Sequence, residues 1–134
     1  MPIRIAVIAD IHYAPESEPT AERAKDIADI LLLRAVHHIN RFLKPDIVVA
    51  LGDILDDGNA PKAPEWRARL QAHLGLLKSP LVALPGNHDG DPAAFLRDFG
   101  APPEWLDVAG ARFVPVMDPE ESGYNARREA RDIQ

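Results

Sequence analysis

The chain has 134 residues, a formal net charge of −6 at pH 7 and no cysteine. This length accommodates one domain with a single core, and the lack of cysteine excludes disulfides and thiolate metal ligands. The acidic balance disfavours bulk binding to nucleic acids, although bound cations would reverse the sign of charge locally. No apolar stretch approaches the roughly 20 residues of a transmembrane helix, and no signal peptide is recognisable, so we expect a cytoplasmic protein without membrane attachment.

Three apolar runs predict the strands of the fold. Residues 3–9 and 46–51 are continuous and rich in β-branched side chains, as is typical of strands covered on both faces, and residues 81–84 form a shorter run. We interpret the first run as a central parallel strand. Because helices are predicted between these runs, the sequence indicates right-handed βαβαβ crossovers and an α/β fold with a largely parallel sheet.

The helices are predicted from apolar periodicity and from residues that begin and end helices. An amphipathic stripe covers residues 21–43, with Thr20 as a candidate N-cap. Pro64 can occupy the first turn of a second helix. The segment from Asp91 to Gly100 contains a cap, a first-turn proline and a terminal glycine in the order that a short third helix needs.

Beyond the third helix the pattern is weaker. Residues 101–110 contain prolines and are predicted as a connection, and residues 112–117 as a fourth strand that bends at Pro115. A weak apolar stripe over residues 124–134 predicts a helix without a stop signal. We therefore expect residues 1–134 to form a single domain that is incomplete.

Polar residues with metal-binding side chains follow the first two predicted strands. Asp10 and His12 are two positions apart, so that an extended backbone would direct both side chains to the same side. Asp53 follows a glycine that permits close backbone approach, and its two oxygens can bridge two cations. Since the carboxyl ends of parallel strands lie at one edge of the sheet, we expect these side chains to converge there.

The third predicted strand ends in a further polar cluster. Asn87 offers an amide oxygen to a cation, and His88 can hydrogen-bond a substrate oxygen. Asp89 can either fix the orientation of the His88 ring, which we favour, or close a turn with Gly90. Asp56, after the second strand, can either orient the metal ligands by hydrogen bonds without binding the metal itself or close a turn with Gly58. These residues extend the candidate metal site with a catalytic histidine and aspartate.

A short motif therefore follows each predicted strand. The motifs are Asp10-Ile11-His12, Gly52-Asp53-Ile54-Leu55-Asp56 and Gly86-Asn87-His88-Asp89. In this order they resemble the Asp-x-His, Gly-Asp-x-x-Asp/Asn and Gly-Asn-His-Asp/Glu motifs of the calcineurin-like metallophosphoesterase family. Each motif alone is a weak signal, but three motifs in this order, each directly after a predicted strand, are a strong one. The resemblance implies that the chain is the N-terminal half of an αββα sandwich.

The resemblance also implies a site for two divalent metal ions. Asp10 and His12 would bind one cation, Asp53 would bridge both, and Asn87 would bind the other, with His88 near the scissile phosphate. The cations would activate water for attack on a phosphomonoester or phosphodiester substrate. Mn, Fe and Zn all suit ligands of the imidazole, carboxylate and amide types.

The sequence departs from the family pattern in two respects. Asp57 stands where many phosphatases of the family have an arginine, which slightly favours the cyclic-nucleotide phosphodiesterase-like branches. The family pattern continues with Gly-His and Gly-His-x-His, but this sequence has no histidine after His88. We therefore expect the N-terminal part of a longer enzyme, whose exposed apolar sheet surface favours self-association. The alternative is a catalytically incompetent metal-binding or interaction module.

Overall fold

A parallel sheet of three strands organises the computed structural model, which describes residues 2–18, 20, 23–118, 120–121 and 125–128. The strands are β1 (Ile5–Ile8), β2 (Ile47–Ala50) and β3 (Leu81–Ala83), in the order β1-β2-β3. The α/β class and the parallel sheet are thus confirmed. The central strand of the described sheet is β2, however, and the prediction that the first strand is central was wrong for these residues. A continuous apolar run does not identify which neighbours a strand has.

Three α-helices connect and follow the strands. They are α1 (Ala28–His38), α2 (Ala63–Leu74) and α3 (Pro92–Phe99). A 3-10 turn at Lys25–Ile27 precedes α1, and a π turn at Ile39–Leu43 extends it. The first two helices connect successive parallel strands and pack against each other, as a βαβαβ arrangement requires.

The start of the first helix differs from the prediction. Arg23 and Ala24 are not helical, and residues 21–22 lie outside the described part of the chain. The hydroxyl of Thr20 accepts a hydrogen bond from the backbone N–H of Arg23 at 3.1 Å, so this side chain closes a separate turn before the helix. The cap predicted for the third helix is confirmed, because the Asp91 carboxylate accepts from the N–H of Ala93 at 3.0 Å.

The hydrophobic core lies between the helices and one face of the sheet. Its members from α1, α2 and the sheet include Leu32, Val36, Leu70, Leu74, Ala50 and Ala83. Because side chains alternate along a strand, Ile5 and Val7 of β1 point to the opposite face, where 48% and 60% of their surfaces are exposed. An exposed apolar patch on the sheet was expected; association through it stays a prediction.

The loops after β1 and β2 pair again beyond the ends of these strands. Tyr13 and Leu55 form an isolated parallel bridge, in which the N–H of Tyr13 donates to the carbonyl of Ile54 at 2.9 Å. Tyr13 is fully buried, and its hydroxyl accepts from Arg69 of α2 at 3.1 Å. Burial and the nearby Asp29 carboxylate raise the pKa of Tyr13, while Arg69 opposes this shift. The bridge fixes the segment that carries the candidate metal ligands.

An antiparallel hairpin follows α3. It consists of β4 (Leu106–Val108) and β5 (Ala111–Phe113), joined by Ala109 and Gly110, both with positive φ. Two such residues make the type of turn that suits a two-residue hairpin loop. The prediction of a proline-containing connection over residues 101–110 was therefore wrong for β4, and the strand predicted at residues 112–117 ends early. A run of three residues is too short for alternation to be recognised.

The last described residues are extended. The strands β6 (Glu120–Glu121) and β7 (Asn125–Ala126) pair antiparallel. The helix predicted over residues 124–134 was wrong at β7, and its residues 124 and 129–134 lie outside the described part. Within the described ranges no helix has both the length and the apolar character needed to cross a bilayer.

Candidate metal centre

The loops that follow β1, β2 and β3 bring the three motifs together at one edge of the sheet. His12 Nε2 lies 3.8 Å from Asp10 Oδ1 and 3.9 Å from Asp53 Oδ2. Donor atoms of these three residues all lie within 4.8 Å of one another. Ligands at about 2.1 Å from a shared cation are separated by comparable distances. The arrangement therefore fits a divalent cation with one imidazole and two carboxylate ligands.

The backbone at these three residues is strained. Asp10, His12 and Asp53 have positive φ angles of 56°, 48° and 49°. Such left-handed conformations are uncommon outside glycine and often occur at functional sites. An extended backbone was expected to direct the side chains of Asp10 and His12 to the same side. Instead, β1 ends before Asp10, and the two side chains converge because the backbone is left-handed at both residues.

Backbone hydrogen bonds hold the strained segments in place. The N–H of Asp10 donates to the backbone carbonyl of Gly52 at 3.3 Å, and the N–H of His12 donates to the backbone carbonyl of Asp53 at 2.9 Å. Gly52 has a φ of 81°, and a Cβ atom added there would overlap the backbone of Gly86. Glycine is thus required at this crossing because the second and third motif loops touch through their main chains.

Asp53 lies at the centre of the cluster. Its Oδ1 atom accepts the backbone N–H of His88 at 3.0 Å, whereas Oδ2 is the atom nearer to the His12 ring. A Cβ atom at Gly86 would overlap Oδ1. The two carboxylate oxygens therefore point in different directions, Oδ1 toward the third motif loop and Oδ2 toward the His12 ring.

His88 is oriented by the main chain of the second motif. Its Nδ1 atom lies 2.8 Å from the carbonyl oxygen of Asp56. Because a carbonyl can only accept, Nδ1 is the protonated nitrogen and Nε2 remains for another partner. The His88 and His12 rings meet edge to face, with centroids 4.7 Å apart. Donor atoms of His12, Asp56 and His88 form a second group that could hold a metal ion.

Asp89 has a different role from the one predicted. Its Oδ1 atom accepts from the N–H groups of Ile54 and Leu55 at 2.9 and 3.0 Å, and Oδ2 accepts from Gly86 at 2.8 Å. The residue is fully buried. Burial raises the pKa of Asp89 although the three donors favour the ionised form. The expectation that this carboxylate orients the His88 ring was wrong, since its oxygens join the second and third motif loops instead.

Asp56 faces both histidines and a lysine that the sequence analysis missed. Its Oδ1 atom is 2.6 Å from Lys25 Nζ and 3.3 Å from His12 Nδ1. Burial alone would raise the pKa of Asp56, but the hydrogen bond and charge of Lys25 outweigh it and hold that pKa below its usual value. Lys25 precedes α1 and lies far from the motifs in sequence, so no local pattern could identify it.

A buried nitrogen of His12 is consistent with this arrangement. Nδ1 is enclosed and makes no hydrogen bond within the described residues, although Asp56 Oδ1 is near. A cation on Nε2 would favour a proton on Nδ1, for which that carboxylate is the neighbouring acceptor. Asn87, the fourth expected ligand, begins the 3-10 turn Asn87–Asp89 and is exposed at the same edge.

Comparison with known proteins agrees with this geometry. The sequence profile of the calcineurin-like phosphoesterases matches residues 3–124, which include all three motif loops. The chain belongs to the calcineurin-like phosphoesterase family. A search of curated proteins finds no match.

Membership of this family indicates the kind of chemistry that the site supports. The calcineurin-like phosphoesterases are metal-dependent enzymes that act on phosphate esters, and the α/β fold described above corresponds to the N-terminal part of their domain. The carboxylate and imidazole groups at the sheet edge can hold a divalent metal ion.

Proposed function

We propose that this chain carries the N-terminal portion of a two-metal phosphoesterase centre that hydrolyses phosphate monoesters or diesters. The observation that carries the proposal is the convergence of Asp10, His12 and Asp53 in the loops that match the family. Asp10 and His12 would hold the first cation, Asn87 would hold the second, and Asp53 would be shared by both. When bound, the cations neutralise phosphate charge and activate water.

The other site residues bind substrate and maintain the geometry. His88 is the residue nearest the ester oxygen: with its ring protonated on both nitrogens, Nδ1–H stays bonded to the Asp56 carbonyl and Nε2–H donates a proton or hydrogen bond to that oxygen. The side chain of Asp56 supports the His12 ring, and Lys25 balances its charge. Asp89 acts through the backbone of the two motif loops and is a positioning residue.

A second candidate is a metal-binding or interaction module without catalysis. It is favoured by the exposed apolar side chains of β1, which a binding partner could cover. This module would bind a cation at Asp10, His12 and Asp53 and would not turn over esters. The two candidates agree on metal binding and differ on hydrolysis.

The test combines metal binding with hydrolysis. We expect added Mn²⁺ to raise the unfolding temperature and to support hydrolysis of an aryl phosphate monoester or diester; Asp53→Ala should abolish both effects. Asp57→Ala is the matched control, because the Asp57 side chain is exposed and its one hydrogen bond to a described residue is from the nearby N–H of Asn59. An unchanged Mn²⁺ response in Asp53→Ala would refute the metal site. Mn²⁺ binding without turnover would favour the module.

The same assay addresses finer predictions from the sequence. Preference for a cyclic nucleotide over the aryl esters would support the phosphodiesterase-like branch, and preference for the monoester would contradict it. Repeating the measurement with Fe²⁺ and Zn²⁺ would identify the metal that supports the fastest turnover. The cytoplasmic location and the absence of bulk nucleic-acid binding also stay predictions.

A further inference from the structure

A cleft opens beside the candidate metal centre, between the loop after β1 and the helix α1. Its volume is about 420 Å³, which lies within the range of small-molecule binding sites. Asp10 and His12 form part of its wall, so a molecule in the cleft would be adjacent to the first metal position. The remaining wall is mostly apolar and comprises Ile8, Ile11, Ala24, Ala28, Leu31, Leu32 and Ala35.

Two cationic side chains, Arg23 and Lys25, complete the lining of the cleft. Lys25 is paired with Asp56 at 2.6 Å, so its charge is already balanced. Arg23 is exposed, and no ion pair of its guanidinium is found among the described residues. A molecule in the cleft therefore meets an apolar wall, the metal position and the guanidinium of Arg23, which has no ion pair within the described part of the chain.

We propose that this cleft binds the organic group of the phosphate ester, and that the preferred substrates carry an apolar or aromatic group of ring size next to the phosphate. The inference rests on the proposed function, since it needs the phosphate at the metal centre. Phosphate oxygens then lie toward Asp10 and His12 with their cations, the apolar group covers Leu31 and Ala35, and the Arg23 guanidinium attracts the anion as it enters.

The chemistry of the wall favours this occupant over a polar one. A sugar or a polyol would place hydroxyl groups against the methyl groups of Ile11, Ala28 and Leu32, where they would lose hydrogen bonds to water without replacement. An aromatic ring gains free energy from the same contact. The organic group should therefore contribute to affinity in proportion to its apolar surface.

The test uses two phosphonates that are not hydrolysed. Binding of phenylphosphonate and methylphosphonate to the Mn²⁺-loaded chain is measured by calorimetry. We expect the phenyl compound to bind on the order of tenfold more tightly, since the ring buries additional apolar surface. Equal dissociation constants in the unaltered chain would overturn the proposal.

Variants of residues that line the cleft test whether the preference for the phenyl compound arises there. Leu31→Asp should abolish the preference for the phenyl compound over the methyl compound. Ile30→Asp is the matched control, because Ile30 is the adjacent residue of α1 and is similarly exposed, at 53% against 44% for Leu31, but does not line the cleft. Ala35→Phe fills the cleft without adding charge and should also remove the preference. Retention of the preference in both Leu31→Asp and Ala35→Phe would contradict the assignment.

Metal binding, measured first, distinguishes failure of the cleft assignment from failure of the proposed function. If Mn²⁺ binds and the two phosphonates bind equally, the cleft assignment fails and the metal centre stands. If Mn²⁺ does not bind, or if Asp53→Ala binds it as well as the unaltered chain does, the proposed function fails and the cleft assignment fails with it.

Discussion

Asp89 Oδ1 accepts a hydrogen bond from the backbone N–H of Ile54 at 2.9 Å, across 35 positions of sequence. With the bonds to Leu55 and Gly86, this buried carboxylate satisfies three main-chain donors from two loops. No single backbone contact could serve all three. Asp89 therefore stabilises the relative position of the second and third motifs.

Asp89→Asn tests this role. An asparagine oxygen can still accept from Ile54 and Leu55, but its NH₂ group would face the N–H of Gly86, so a donor would meet a donor. We expect a loss of about 1–3 kcal/mol in the free energy of unfolding, measured with urea. Asp57→Asn, in an exposed turn, should change it by less than about 0.5 kcal/mol. Equal stability of the two variants would contradict the role of Asp89.

Comparing two glycines with nearly equal φ angles distinguishes the cost of a left-handed backbone from the cost of a steric overlap with neighbouring atoms. Gly52 and Gly110 have φ of 81° and 82°, but only Gly52 has neighbouring atoms where a Cβ would be. Gly110→Ala should cost about 1–2 kcal/mol, the cost of a left-handed alanine. Gly52→Ala should cost several times as much and should abolish Mn²⁺ stabilisation. Urea unfolding with and without Mn²⁺ measures both quantities, and similar costs would refute the close contact with Gly86.

The strain at Asp10 predicts opposite effects on stability and on metal binding. Glycine adopts positive φ without steric cost, so Asp10→Gly should stabilise the metal-free chain by about 0.5–1 kcal/mol. The same change removes a proposed ligand and should reduce the stabilisation by Mn²⁺. Asp57→Gly is the control, because φ is not positive there, and it should not stabilise the chain. A metal-free Asp10→Gly chain less stable than the original would show that the strain is not costly.

The bond between His88 and the Asp56 carbonyl predicts a single ring tautomer. In alkaline solution, where histidine is neutral, ¹⁵N chemical shifts of His88 should show the proton on Nδ1. His37, exposed on α1, provides the internal reference and should show the ordinary mixture dominated by Nε2–H. A proton on Nε2 of the neutral His88 ring would contradict the hydrogen bond from Nδ1 to the Asp56 carbonyl.

The sequence was sufficient to predict which residues meet at the sheet edge. Apolar runs located the three strands, and parallel strands place their carboxyl ends together, so Asp10, Asp53 and Asn87 could be assigned to one edge without coordinates. The caps of α3 were equally local, since Asp91 and Gly100 act on their own helix. Predictions of this kind succeed because the determining residues are adjacent in sequence.

The details of the site depend on contacts between distant segments. The left-handed backbone at His12 is fixed by a bond to Asp53, and the charge of Asp56 is balanced by Lys25; neither relationship leaves a local sequence pattern. The role of Asp89 was misassigned for the same reason, since its partners lie in another loop. The short strand β4 was missed because three residues cannot display a period.

The bridge between Tyr13 and Leu55 has a consequence for the thermodynamics of metal binding. It closes the ligand segment on the side away from β1, so main-chain pairing anchors the loop carrying Asp10 and His12 at both ends. The conformational entropy of these ligands is lost during folding, not during metal capture. Release of water from the cation and the carboxylates should then dominate the entropy of binding, and the metal should change the shape of the chain very little.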